Sequence, residues 1–136
     1  MRNITEVVAA LIWRDGEFLI CQRPAHKARG LLWEFVGGKV EPGETKEAAL
    51  IRECREELNI ELSVGELLAQ TVHQYPDLSV QLHLFLSRIR EGIPQRLEHE
   101  EIRWVRPEDV GNYDLCEADR ELWAQVDQRI LQTPIL

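Results

Sequence analysis

The chain of 136 residues (15.8 kDa) has the size of one domain, and its 44% hydrophobic and 29% charged residues suit a packed core, not a disordered chain. With 24 acids against 16 bases the net charge is -8, a surface that repels nucleic-acid polymers. The longest apolar run, Val7 to Trp13, is too short to span a bilayer and is flanked by charges that do not suit a signal peptide. Cys21, Cys54 and Cys116 are widely separated and form no CxxC pair, which disfavours a disulfide scaffold or thiolate zinc site and points to a reducing cytoplasm.

No internal repeat or linker is visible, so one domain is expected over 1–136. Ile4 to Trp13 reads as a strand, Asp15-Gly16 as a hairpin turn and Phe18 to Gln22 as the returning strand. Pro24 to Gly30 is a basic loop, and Leu32 to Val36 a short strand running into Gly37-Gly38. After a Pro42-Gly43 turn, a helix is expected from an N-cap at Thr45 to about Leu58, stopped by Asn59 in left-handed backbone. Leu67 to Tyr75 and Val80 to Ile89 read as strands around a Pro76-Asp77 turn, the second with alternating polarity that predicts a half-buried sheet. Ile102 to Val105 is a last strand, Pro107 to Val110 a helical turn and Ala118 to Leu131 a final helix. Grouped strands with intervening helices predict a mixed α/β fold.

On the first helix, Glu53, Glu56 and Glu57 fall within an arc of about 100°. Ile51, Cys54 and Leu58 are expected to face the sheet. Crowded acids on one face usually mark a solvated surface. Here they follow a glycine turn at set spacing: Gly38, Glu44, Arg52, Glu53, Glu56 and Glu57. Hard cations such as Mg²⁺ take oxygen ligands, and a glutamate cluster that holds them lets an acidic protein engage a polyphosphate.

This pattern resembles the Nudix box, the signature of hydrolases acting on a nucleoside diphosphate linked to another group. At roughly 6% usage per residue type, its chance occurrence in a chain this long is on the order of one in 100,000. Asn59 replaces the usual Gly and Cys54 the usual aliphatic residue, both mild departures. The resemblance implies a Nudix fold, a mixed β-sheet packed between helices as an α-β-α sandwich. It also implies divalent metal (Mg²⁺, with Mn²⁺ an alternative) on Glu53, Glu56 and Glu57, with Arg52 orienting a glutamate. Gly37, Gly38 and Lys39 would add backbone metal contact or phosphate contact.

Glu98-His99-Glu100-Glu101 precedes the strand of Trp104. His99, Glu100 and Glu101 are expected to be a solvated loop. Glu98 matches a place where MutT-like relatives carry a metal-binding or base glutamate, and it competes with Glu53 for the base role. Glu6 to Ala10, Gln22-Arg23-Pro24 and Leu32 to Lys39 are similar to MutT-type nucleotide pyrophosphohydrolases acting on oxidised guanine or cytidine nucleotides. The expected products are a nucleoside monophosphate and pyrophosphate, formed as water attacks phosphorus.

Arg23, Phe35, Tyr75 and Asp119 are the candidates for holding the nucleoside, although Phe35 and Tyr75 suit a core equally well and Arg23 a surface. Asp119 stands where relatives that clear oxidised guanine carry Asn. It reads equally as a helix N-cap; ionised at the base, it would only accept hydrogen bonds and tilt selectivity toward cytidine-type bases. Two alternatives stay open: another Nudix substrate, such as a nucleotide sugar or dinucleoside polyphosphate, and a non-catalytic nucleotide-binding domain. His26, His73, His83 and His99 lack metal-ligand spacing, with His83 expected at the surface or satisfied. The expected partner is a small nucleotide, with no nucleic-acid polymer and no membrane, acting on a monomer or homodimer.

Overall fold

The computed structural model describes residues 4–131. The apolar run at the start forms β1 (Ile4–Arg14), and Asp15-Gly16 turns it into β2 (Glu17–Gln22), with both turn residues in left-handed backbone (φ 51° and 83°) as the hairpin requires. The expected strand over Leu32 to Val36 is instead two. β3 (Trp33–Glu34) pairs with β2, and β4 (Val36–Lys39) pairs with β1. The chain changes partners at Phe35, whose backbone N–H goes to a side chain and not to a ladder.

Next comes α1 (Lys46–Leu58), capped by Thr45, whose Oγ1 accepts the Ala48 N–H at 3.1 Å. Asn59 ends it in left-handed backbone (φ 55°), as its sequence predicts. β5 (Glu61–Gln74) starts well before the expected Leu67, because register shifts near Leu62, Val64 and Leu67 interrupt the two-residue alternation. β6 (Ser79–Glu91) lies between β5, antiparallel, and β1, parallel. This central place buries Val80, Leu82, Leu84, His83 and Ser87, so β6 is covered on both faces and not half-exposed. His83 is therefore no surface residue; its Nδ1 lies 3.1 Å from Gln70 Oε1.

β7 (Glu101–Val105) closes against β2, and a 3₁₀ helix over Pro107–Asn112 leads to α2 (Glu117–Gln125). The expected single helix to Leu131 breaks at Val126, which is extended, before α3 (Gln128–Leu131). Asp127 explains the restart: its carboxylate accepts the Arg129 N–H at 3.1 Å, an alternative to continuing the helix.

The sheet runs β3-β2-β1-β6-β5, with β4 also on β1 and β7 also on β2. Alternate residues of β1 serve two cores. Val8, Ala10 and Ile12 pack toward α1 with Ala49, Leu50, Cys54 and Leu58. Ala9 and Leu11 face the other side with Phe35, Leu84, Ala118 and Leu122. The result is the expected α-β-α sandwich, although Ile51 is only half-buried and Leu50 takes the core position beside Cys54. Glycine is obligatory at 37, where a Cβ would collide with the Val8 carbonyl oxygen and hold β4 off β1. Left-handed backbone at Asn59 predicts that Asn59→Ala lowers stability by about 1 kcal/mol in urea denaturation, whereas Asn59→Gly costs less.

Candidate active site

The end of β4 and the outward face of α1 meet at Arg52. Its guanidinium grips Glu44 twice, Nε to Oε2 at 2.7 Å and Nη2 to Oε1 at 3.0 Å. It also donates to the Lys39 carbonyl at 3.0 Å, to Glu53 at 2.9 Å and, more loosely, to Glu56 at 3.4 Å. The bidentate bond holds the Glu44 carboxyl down at about 2. Arg52 thereby ties helix to strand and fixes Glu53, whose carboxyl group occupies the space that a Cβ on Gly38 would need.

Beside this knot opens a cleft of about 240 Å³. Its walls include Arg23, Phe35, Gly37, Gly38, Lys39, Glu57, Tyr75, Glu98 and Asp119. Every candidate for substrate contact therefore reaches one cavity, from four separate segments of chain. Glu53, Glu56 and Arg52 do not line it, and Glu56 points outward. Among the described residues no three Asp, Glu, His or Cys side chains are arranged as a ready ligand set for a metal ion.

Glu57 is the exceptional group. Its Oε2 is buried without any hydrogen-bond partner. Burial, then the carboxylates of Glu53, Glu34 and Glu98, push its pKa up to about 9, opposed by Lys27. A buried oxygen with no donor is costly unless a cation or proton meets it. The carboxylates near it, Glu53, Glu34 and Glu98, offer oxygen donors that fit a hard divalent cation. Glu53 is raised as well, mainly by burial, while Arg52 pulls it back.

At the other end of the cleft, Asp119 lies inside the first turn of α2 and is no N-cap; Cys116 holds that position. Its Oδ1 accepts the Phe35 N–H at 3.0 Å. Burial, and then the Glu34 carboxylate, raise its pKa, against the Phe35 N–H and Arg23, which lower it. Phe35 is itself a core residue, 5.9 Å from Phe18 between ring centroids, with an edge on the cleft. The Tyr75 hydroxyl accepts the Ala118 N–H at 2.9 Å.

Two residues of this cleft were not anticipated. Glu34 bridges Arg23 Nη1, at 2.9 Å, and His99 Nε2, at 3.1 Å. His99 is buried, contrary to the solvated loop expected for it, because Glu34 draws its ring inward across β3. An acid between Trp33 and Phe35 was the available signal, since a charge in an apolar strand demands a partner.

The NUDIX domain profile matches residues 7–125. The chain is 46% identical over 117 residues to a CTP pyrophosphohydrolase of Escherichia coli K12, covering 86% of this chain and 87% of that protein. It is 45% identical over 73 residues to an 8-oxo-dGTP diphosphatase of Proteus vulgaris, covering 54% of this chain and 65% of that protein. The crystal structure of a MutT NUDIX hydrolase from Burkholderia pseudomallei superposes with a TM-score of 0.84 at 29% identity, covering 92% of this chain and 99% of that one. Box, fold and relatives agree, and the chain belongs to the NUDIX domain family.

Proposed function

We propose that this protein is a Mg²⁺-dependent nucleoside triphosphate pyrophosphohydrolase, releasing pyrophosphate and a nucleoside monophosphate, with cytidine-type or oxidised guanine nucleotides as substrates. The observation that carries this reading is the unpartnered Glu57 oxygen on the wall of a cleft that also holds the nucleoside candidates. The high identity to a CTP pyrophosphohydrolase supports a triphosphate over a nucleotide sugar or dinucleoside polyphosphate.

Glu53, Glu56 and Glu57, with the Gly37 carbonyl, would hold the divalent cation. A cation held there would supply charge neutralisation for the phosphates and activation of the attacking water. Arg52 orients Glu53 through its 2.9 Å bond and opposes the burial that raises its pKa. Because Glu53 is committed to Arg52, Glu98, which faces the cleft, is the better placed base for the attacking water. Lys39 offers positive charge to the phosphate chain from the same cleft, while Phe35, Tyr75 and Asp119, with Arg23 beside them, take the nucleoside.

Pyrophosphate release from a panel of NTPs and dNTPs, with and without Mg²⁺, tests the activity directly; a wild-type protein inactive on every triphosphate would refute it. Glu53→Gln and Glu57→Gln are each expected to lower kcat by about two to four orders of magnitude with circular dichroism unchanged. Near-normal turnover in both would contradict the assignment.

A pH effect follows from Asp119. The unfolded chain releases this proton above a pKa of about 3.9. The folded chain keeps it to higher pH, so stability falls as pH rises from there through the raised folded value. Asp119→Asn, which cannot ionise, is expected to lose less stability than wild type between acid and neutral pH in urea titrations.

A further inference from the structure

We propose that Arg29, in the loop between β2 and β3, determines nucleobase specificity by donating to a base carbonyl at the nucleoside end of the cleft. The inference rests on the nucleotide reading above and names a residue that neither the box nor the substrate candidates include.

The guanidinium carbon of Arg29 sits 4.1 Å from the centroid of the Tyr75 ring. Its Nη1 donates to Asp77 Oδ1 at 2.9 Å, in the turn between β5 and β6. The Tyr75 hydroxyl in turn holds the Ala118 N–H, beside Asp119. Arg29 therefore lies where three separate segments meet, and it lines the cleft together with Tyr75, Ala118 and Asp119. To reach this place its backbone adopts left-handed φ of 58°, a conformation that bulky residues rarely take. The pair with Asp77 is too exposed, at 50% for the aspartate, to add much stability.

The same loop separates two positive charges. Lys27 is felt at Glu57, whereas Arg29 is felt at Tyr75 and Cys116. Lys27 thus serves the phosphate end and Arg29 the base end. A guanidinium has five N–H donors in a rigid plane, and among the described residues only Nη1 of Arg29 has a protein acceptor. The remaining donors suit a carbonyl such as O2 of cytosine. Adenine has no carbonyl and gains less.

Binding of CMP, AMP and inorganic pyrophosphate in Mg²⁺, measured by calorimetry, tests this. Arg29→Met is expected to weaken CMP about tenfold, AMP by less than about threefold and pyrophosphate not measurably, as one charge-assisted hydrogen bond is lost. Arg29→Lys should not restore CMP affinity, because an ammonium lacks the planar fork. In turnover, Arg29→Met should raise KM for CTP with kcat held. Equal losses for CMP and AMP, an equal loss for pyrophosphate, full rescue by lysine, or no loss would each overturn the assignment while leaving the nucleotide reading standing. Wild-type protein that binds neither monophosphate would overturn that reading, and the assignment with it.

Discussion

The architecture turns on a carboxylate with nothing to bind. Glu57 buries an oxygen that no donor reaches, beside Glu53, Glu34 and Glu98. Folding alone would not favour this, because like charges in a poorly solvated wall repel and lose hydration. Arg52 relieves only the outer part of the cluster, pairing Glu44 and Glu53 and leaving Glu57 to the cleft. The imbalance makes chemical sense when a cation and a polyphosphate fill the cavity together.

The fold exists to hold that arrangement still. β1 is buried on both faces, and its neighbours β4 and β6 fix where the Gly37-Gly38 pair and the cleft wall lie. Close contact at Gly37 presses β4 onto β1, and the absence of a side chain at Gly38 admits the Glu53 carboxyl group. Capped at both ends, α1 presents its acids at a fixed height above the sheet. On the far side, the Asp119 bond to the Phe35 amide locks α2 to the point where the chain leaves β3 for β4. Phosphate and nucleoside ends are thus set by two helices on opposite faces of one sheet.

Local features were legible in the sequence. The Asp15-Gly16 hairpin, the Thr45 cap and the Asn59 stop each depend on one or two residues and their neighbours. The acidic motif was legible for the same reason, since helix spacing alone puts its members on one face. What the sequence hid depends on distant partners. Phe35 leaves its strand because Asp119, 84 residues away, takes its N–H. His99 turns inward because Glu34 lies across the cleft. β5 was read short because its register shifts interrupt the alternation, and the final helix was read long because Asp127 competes for the backbone only after Val126 has turned away. Asp119 shows the limit most clearly: its identity suggested a helix N-cap, but it lies inside α2 and accepts the distant Phe35 N–H.

The most direct test is crystallographic. A crystal grown with Mn²⁺ and a non-hydrolysable CTP analogue, with anomalous scattering to locate the metal, should place Mn²⁺ on Glu57 Oε2 and against the phosphate chain. Manganese elsewhere, or an analogue bound with Glu57 turned away from it, would contradict the account.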